Sequence, residues 1–91
     1  MILNAEDEAI LILKEQFSLT EESTGLAPLF LQSYFLNNSS WDDTLIELQN
    51  GLSMDKDIAV KFLLSAATLY FSSLTAVKQE EVLNYFLEYQ I

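Results

Sequence analysis

Apolar residues recur along this chain at helical spacing, and short polar stretches interrupt them. Ile10, Leu13 and Phe17 follow the acidic triplet Glu6-Asp7-Glu8, with Asn4 as a good N-cap. That pattern predicts a first helix from about Ala5 to Phe17. The run from Ala9 to Leu13 alone would suit a buried strand, but its capped, acidic start favours a helix. Ser18 to Thr24 is polar and turn-like. Thr24 is expected to cap a second helix, Gly25 to Leu36, with Pro28 in its first turn, where the missing N–H costs nothing. Leu26, Leu29, Phe30, Leu31, Tyr34 and Phe35 make its wide apolar face.

Asn37-Asn38-Ser39-Ser40 reads as a loop, and Ser40 caps a third helix in a relative of the capping box, with Asp43 at the third position. Trp41, Leu45, Leu48 and Leu52 line one side, and Asn50-Gly51 is expected to end the helix as a left-handed cap. Ser53 is expected to cap a fourth helix, Met54 to Phe71, which is apolar nearly all round after Lys61 and so marks the buried centre. Thr75 caps a fifth, Ala76 to Tyr89, with Val82, Leu83, Phe86 and Leu87 expected to face inward.

Short connections between helices predict an all-α fold, a compact single-domain bundle of four to five short helices over residues 1–91. No run approaches the ~18 apolar residues of a spanning helix. The start lacks the basic region of a signal peptide, so a cytoplasmic protein without a membrane association is expected.

Charge changes the picture most. Asp and Glu total 14 against 4 basic residues, all lysine (Lys14, Lys56, Lys61 and Lys78), for a net charge of −10. Such a chain should be repelled by nucleic acid and by anionic membranes, and drawn to basic surfaces. With 51% hydrophobic residues it is not a disordered acidic tail. The acids gather in or just after the first turns of the expected helices, and Glu21-Glu22 precedes the second. Free N–H groups and the positive end of the helix dipole favour anions there by roughly 0.3–1 kcal/mol each. The same logic favours cations at C-terminal turns. Those turns carry Gln16, Asn37, Asn38, Gln49, Asn50, Ser72, Ser73 and Gln90 instead. Negative charge is therefore a whole-surface property, with a basic partner or solubility as its cause.

With no His and no Cys, Ser-His-Asp and Cys-His nucleophile arrangements and zinc sites are excluded. Two isolated glycines make no phosphate-cradling loop. Asp55-Lys56-Asp57 is a poor calcium motif, with a lysine between the acids and no EF-hand spacing after it. The chain is expected not to be an enzyme and to need no cofactor or metal. Gly51-Leu52-Ser53-Met54 faintly resembles the segment of acyl carrier proteins in which a serine opening a helix bears phosphopantetheine. The resemblance implies Ser53 as the attachment point of a carrier. Leu52 departs from it, because the family has Asp immediately before that serine.

The expected function is that of a non-enzymatic acidic protein that neutralises a basic, nucleic-acid-binding or nuclease-like protein partner. Immunity proteins, antitoxins and phage-encoded inhibitors are alike in charge and size, and the analogy goes no further. The candidate partner-binding residues are Asp42, Asp43 and Glu47, with Asp55 and Asp57 across the Gly51 turn. Asp43 and Glu47 are four apart and share a helix face. The alternative is a chaperone, adaptor or homodimeric structural module that binds through apolar helix faces. For that reading Tyr85, Tyr89 and Ile91 form a candidate apolar interface on the last helix.

Overall fold

The computed structural model describes residues 6–37 and 39–89. They form α1 (Glu8–Phe17), α2 (Glu21–Phe35), α3 (Trp41–Gly51), α4 (Lys56–Leu69), a single 3-10 turn (Phe71–Ser73) and α5 (Ala76–Tyr89). No strand occurs among the described residues. The protein is an all-α, single-domain bundle.

Four helices start the same way. Thr20 Oγ1 accepts from Ser23 N at 3.0 Å, Ser40 Oγ from Asp43 N at 3.1 Å, Asp55 Oδ1 from Ile58 N at 2.8 Å and Thr75 Oγ1 from Lys78 N at 3.2 Å. Each satisfies a first-turn donor that the helix itself leaves free. The α3 and α5 caps are the expected ones. The α2 cap is Thr20, not Thr24, so the expected turn, Ser18 to Thr24, is helical from Glu21 on. Thr24 is buried instead, and its hydroxyl donates back to the Thr20 carbonyl at 2.7 Å. Pro28 therefore lies inside α2 and not in its first turn, where it removes the bond to the Thr24 carbonyl. The α4 cap is Asp55, not Ser53, and α4 ends at Leu69, with Phe71 in the 3-10 turn. Asn4 and Ala5, the expected start of the first helix, lie outside the described residues, but Glu6 and Asp7 precede the helix as a turn, so α1 starts at Glu8, later than expected.

Ser18 closes α1 in the left-handed region (φ 53°), and the next amide, Leu19 N, reaches back to the Lys14 carbonyl at 2.9 Å. Gly51 plays no such role. It is the last residue of α3 and has no positive φ. Its value is closeness: a Cβ there would stand 2.6 Å from Phe30 Cε2 and nearer still to Cζ. Glycine at this position lets the Phe30 ring of α2 rest against the α3 backbone.

The packing order explains the core. Helices α1 to α4 contact in a ring, α1 on α2, α2 on α3, α3 on α4 and α4 on α1, and α5 packs against α4. Ile10 and Leu13 from α1, Leu31 and Tyr34 from α2, Trp41 and Leu48 from α3, Phe62 and Leu63 from α4 and Val82 from α5 are fully buried. As expected, α4 carries the longest buried stretch, with Ala59, Val60, Phe62, Leu63, Ala66 and Ala67. The small residues among them let three neighbours approach one helix.

The face of α5 is the expected one at Val82, which is buried, and at Phe86, which packs against the core, and departs from it elsewhere. Leu83 and Leu87 point to solvent, at 51% and 72% exposure, while Lys78 and Val82 are buried and Tyr85 is half-buried. Positions 78, 82, 85 and 89 are one turn apart along a single stripe, and that stripe faces α2 and α3. The aromatic rings of Tyr34 and Trp41 draw it inward. Leu29, placed on the apolar face of α2, is likewise 61% exposed.

Candidate partner-binding surface

The outer face of α3 follows from its inner one. Burial of Trp41, Thr44, Leu45 and Leu48 turns Asp42, Asp43, Ile46 and Asn50 outward, with Glu47 half-buried at the edge. Asp43 and Glu47 share a side of the helix. Asp42 opens onto a shallow groove of about 360 Å³ lined by Leu45, Ile46, Gln49 and Lys56. Lys56 also borders a neighbouring groove of about 440 Å³, with Asp57, Val60, Lys61, Leu64 and Tyr89. The structure thus gathers Asp42 and Asp57 around Lys56.

Asp55 does not join them. Its Oδ1 is committed to the Ile58 amide, and it lines a separate groove of about 290 Å³ beside Phe17, Ser18, Thr20 and Ser53. Its first task is structural, as a helix cap. None of Asp42, Asp43, Glu47, Asp55 and Asp57 forms an ion pair with a lysine. Helices α2 to α5 carry no basic residue in their last turns, while Lys14 occupies that position in α1.

Among the candidate apolar interface residues, Tyr85 is half-buried and its ring stacks on Trp41. Tyr89 is 40% exposed and lies 6.3 Å from Trp41, centroid to centroid. Ile91 lies outside the described residues. The exposed large hydrophobic residues of α5 are Val77, Leu83, Leu87 and Tyr89.

One buried charge was not foreseen. Lys78 is 6% exposed; its Nζ stands 4.0 Å above the Tyr34 ring and 3.5 Å from Glu81 Oε2. The aliphatic stem packs while the ammonium meets a ring face and a carboxylate, which offsets its desolvation. The nearby Tyr34 hydroxyl is buried without a hydrogen bond of good geometry, as is the Trp41 indole N–H. Burial first, and then the Glu81 carboxylate, pushes the Tyr34 phenol well above its ordinary pKa. Tyr70 is pushed up to about 12 by burial and by Asp7, whose Oδ2 its hydroxyl faces at 3.5 Å. Tyr85 is raised by burial and then by Glu81, Asp42 and Glu88. The spacing of Lys78, Val82, Tyr85 and Tyr89 is the signal that would have revealed this stripe.

No group of three or more metal-ligating side chains forms among the described residues. Ser53 is exposed, has left-handed backbone (φ 55°) and precedes the first residue of α4 by three positions, so it does not open a helix. No described helix is long and apolar enough to cross a membrane. No protein-family model, curated protein or solved structure matches this chain.

Proposed function

We propose that this is a non-enzymatic acidic binding protein that neutralises a basic protein partner in the cytoplasm by covering its nucleic-acid-binding surface. The observation that carries the reading is the unpaired carboxylate face of α3. Asp42, Asp43 and Glu47 stand on one helix without a lysine partner, on a chain of net charge −10. Such a face steers a basic protein into encounter and offers carboxylates to its Lys and Arg side chains. Asp57 extends the surface across Lys56, whereas Asp55 holds a helix end and borders a separate groove. The phosphopantetheine-carrier reading loses its footing, because Asp55 is the cap and Ser53 is not.

The test is capture on the immobilised protein from a lysate of the source cells, eluted with rising salt. A basic protein released at moderate salt and not retained by a D43K/E47K variant is expected. A partner held through high salt, or retained equally by the variant, would overturn the reading.

A further inference from the structure

The acidic face of α3 gives charge but little area, and the structure offers a second, different surface on α5. Leu83 and Leu87 are one turn apart, 51% and 72% exposed, and the half-buried Phe86 ring lies beside them. Glu80, Asn84 and Glu88, all exposed, run along one edge of this pair at the same one-turn spacing. Single exposed leucines are ordinary on a protein surface; an aligned pair at one-turn spacing has the geometry an apolar docking stripe requires.

We infer that this stripe of α5 docks an amphipathic helix of the basic partner, with leucine-like side chains over Leu83 and Leu87 and Lys or Arg against Glu80 and Glu88. The inference rests on the function proposed above. Size and charge choose the occupant. A helix of 14 residues is about 21 Å long and its exposed face about 10 Å wide. That is roughly 200 Å² in projection, well short of the ~800 Å² per partner of a stable interface. A stable complex therefore extends beyond this helix, and the stripe with its acidic edge is one part of the contact. A second copy would bring its own Glu80 and Glu88 to that edge, because a two-fold contact pairs a patch with itself. The one cation of α5, Lys78, is 6% exposed and engaged by Glu81, so it cannot neutralise them. A helix whose apolar face is rimmed by cations meets both the leucines and the carboxylates. The same carboxylates repel an anionic lipid surface.

The probe is a fluorescein-labelled helical peptide made of Leu and Lys, with the leucines on one face. Its control carries Glu in place of Lys. Anisotropy titrations use the full chain at ~0.15 M salt. The Lys peptide is expected to bind at least about tenfold more tightly than the Glu peptide, and L83S/L87S to weaken it by about tenfold or more. L29S, at a comparably exposed leucine on α2, should change it by less than about threefold. Circular dichroism and Trp41 emission report whether each variant is folded, and the single variant L87S, at the more exposed site, serves if the pair is not. Unchanged binding to L83S/L87S, an equal loss in L29S, or no binding of the Lys peptide would each overturn the docking stripe; the salt-eluted capture and its D43K/E47K control judge the neutraliser reading separately. Equal affinity for both peptides, or a dimer in sedimentation equilibrium that L83S/L87S dissociates, would replace the basic helix with an apolar partner or a second copy.

Discussion

The rings of Trp41 and Tyr85 lie face to face, with centroids 4.2 Å apart and planes 11° from parallel. This stack ties the first turn of α3 to the last third of α5. It also fixes which side of α5 is inside: Tyr85 can reach Trp41 only if Leu83 and Leu87 turn outward. Tyr34 completes the cluster edge-on to Trp41 at 5.6 Å. Tyr85→Leu keeps apolar bulk and removes the ring, so it should cost about 1 kcal/mol. Tyr85→Ala also removes packing and should cost about 2 kcal/mol. Urea unfolding followed by Trp41 fluorescence and by circular dichroism measures both; no cost for Tyr85→Leu would mean that stacking adds nothing to burial.

Lys78 makes a separate prediction, because it sits where a cation is expensive. Lys78→Met keeps the stem over Tyr34 and loses the charge, at a cost of about 1 kcal/mol. Lys78→Glu would set two carboxylates beside one another under the Tyr34 ring, and should cost about 3 kcal/mol or more. Thermal and urea unfolding of the two variants rank them. If Lys78→Met costs nothing, the ammonium contributes nothing and the stem alone matters.

Gly51 sets helix propensity against close approach. Alanine is the better helix former by about 1 kcal/mol, yet its Cβ collides with the Phe30 ring. Gly51→Ala should therefore be neutral or destabilising in the native background. In a Phe30→Ala background it should become stabilising, by up to about 1 kcal/mol. The double-mutant cycle reads the coupling directly, and a coupling energy of zero would remove the packing explanation.

How much of this was legible in the sequence depends on the range of the interaction. Caps with a short polar side chain and a local partner were readable at Ser40 and Thr75, and the starts of α3 and α5 followed from them. Where two candidates competed, local pattern chose badly. Thr24 and Ser53 looked like caps, but Thr20 and Asp55 have the geometry. Gly51 after Asn50 suggests a left-handed turn, and no sequence signal announces a phenylalanine from another helix lying over it. The side of α5 that faces inward was decided by Trp41 and Tyr34, which lie more than thirty positions away. The candidate acids Asp42, Asp43 and Glu47 stand together because one helix carries them all. Asp55 and Asp57 separate because one of them caps the helix that the other begins.

Alkaline titration tests the buried phenols. In the folded chain Tyr34, Tyr70 and Tyr85 ionise above the ordinary value of about 10, and unfolded tyrosines ionise near it. Below that value both states hold the proton and the stabilisation is complete. As pH rises past 10, the unfolded state loses protons that the folded state retains, so stability falls through the raised values, including that of Tyr70 at about 12. Absorbance at about 295 nm should show a fraction of the tyrosines ionising late and together with the loss of helical circular dichroism. Full ionisation near pH 10 with the helices intact would contradict the buried placement.

Salt decides what the acidity does to the fold. At ~0.01 M salt the Debye length is about 30 Å, close to the longest dimension of the molecule, 31 Å, so every carboxylate acts on every other. At ~0.15 M it is about 8 Å and most of that repulsion is screened. Salt also weakens the favourable placement of Glu8, Glu21, Glu22, Asp42, Asp43 and Asp57 in first helical turns. The two effects oppose. With a net charge of −10, the repulsive term should prevail, and raising salt between these limits should stabilise the fold by about 1 kcal/mol, or roughly 4–8 °C in Tm. Scanning calorimetry across the salt series measures it. A rise means that the surface charge is carried at the expense of stability, as a charge kept for binding or solubility would be. A fall means that the acids stabilise the helices that bear them, and that dipole complementarity alone accounts for where they are.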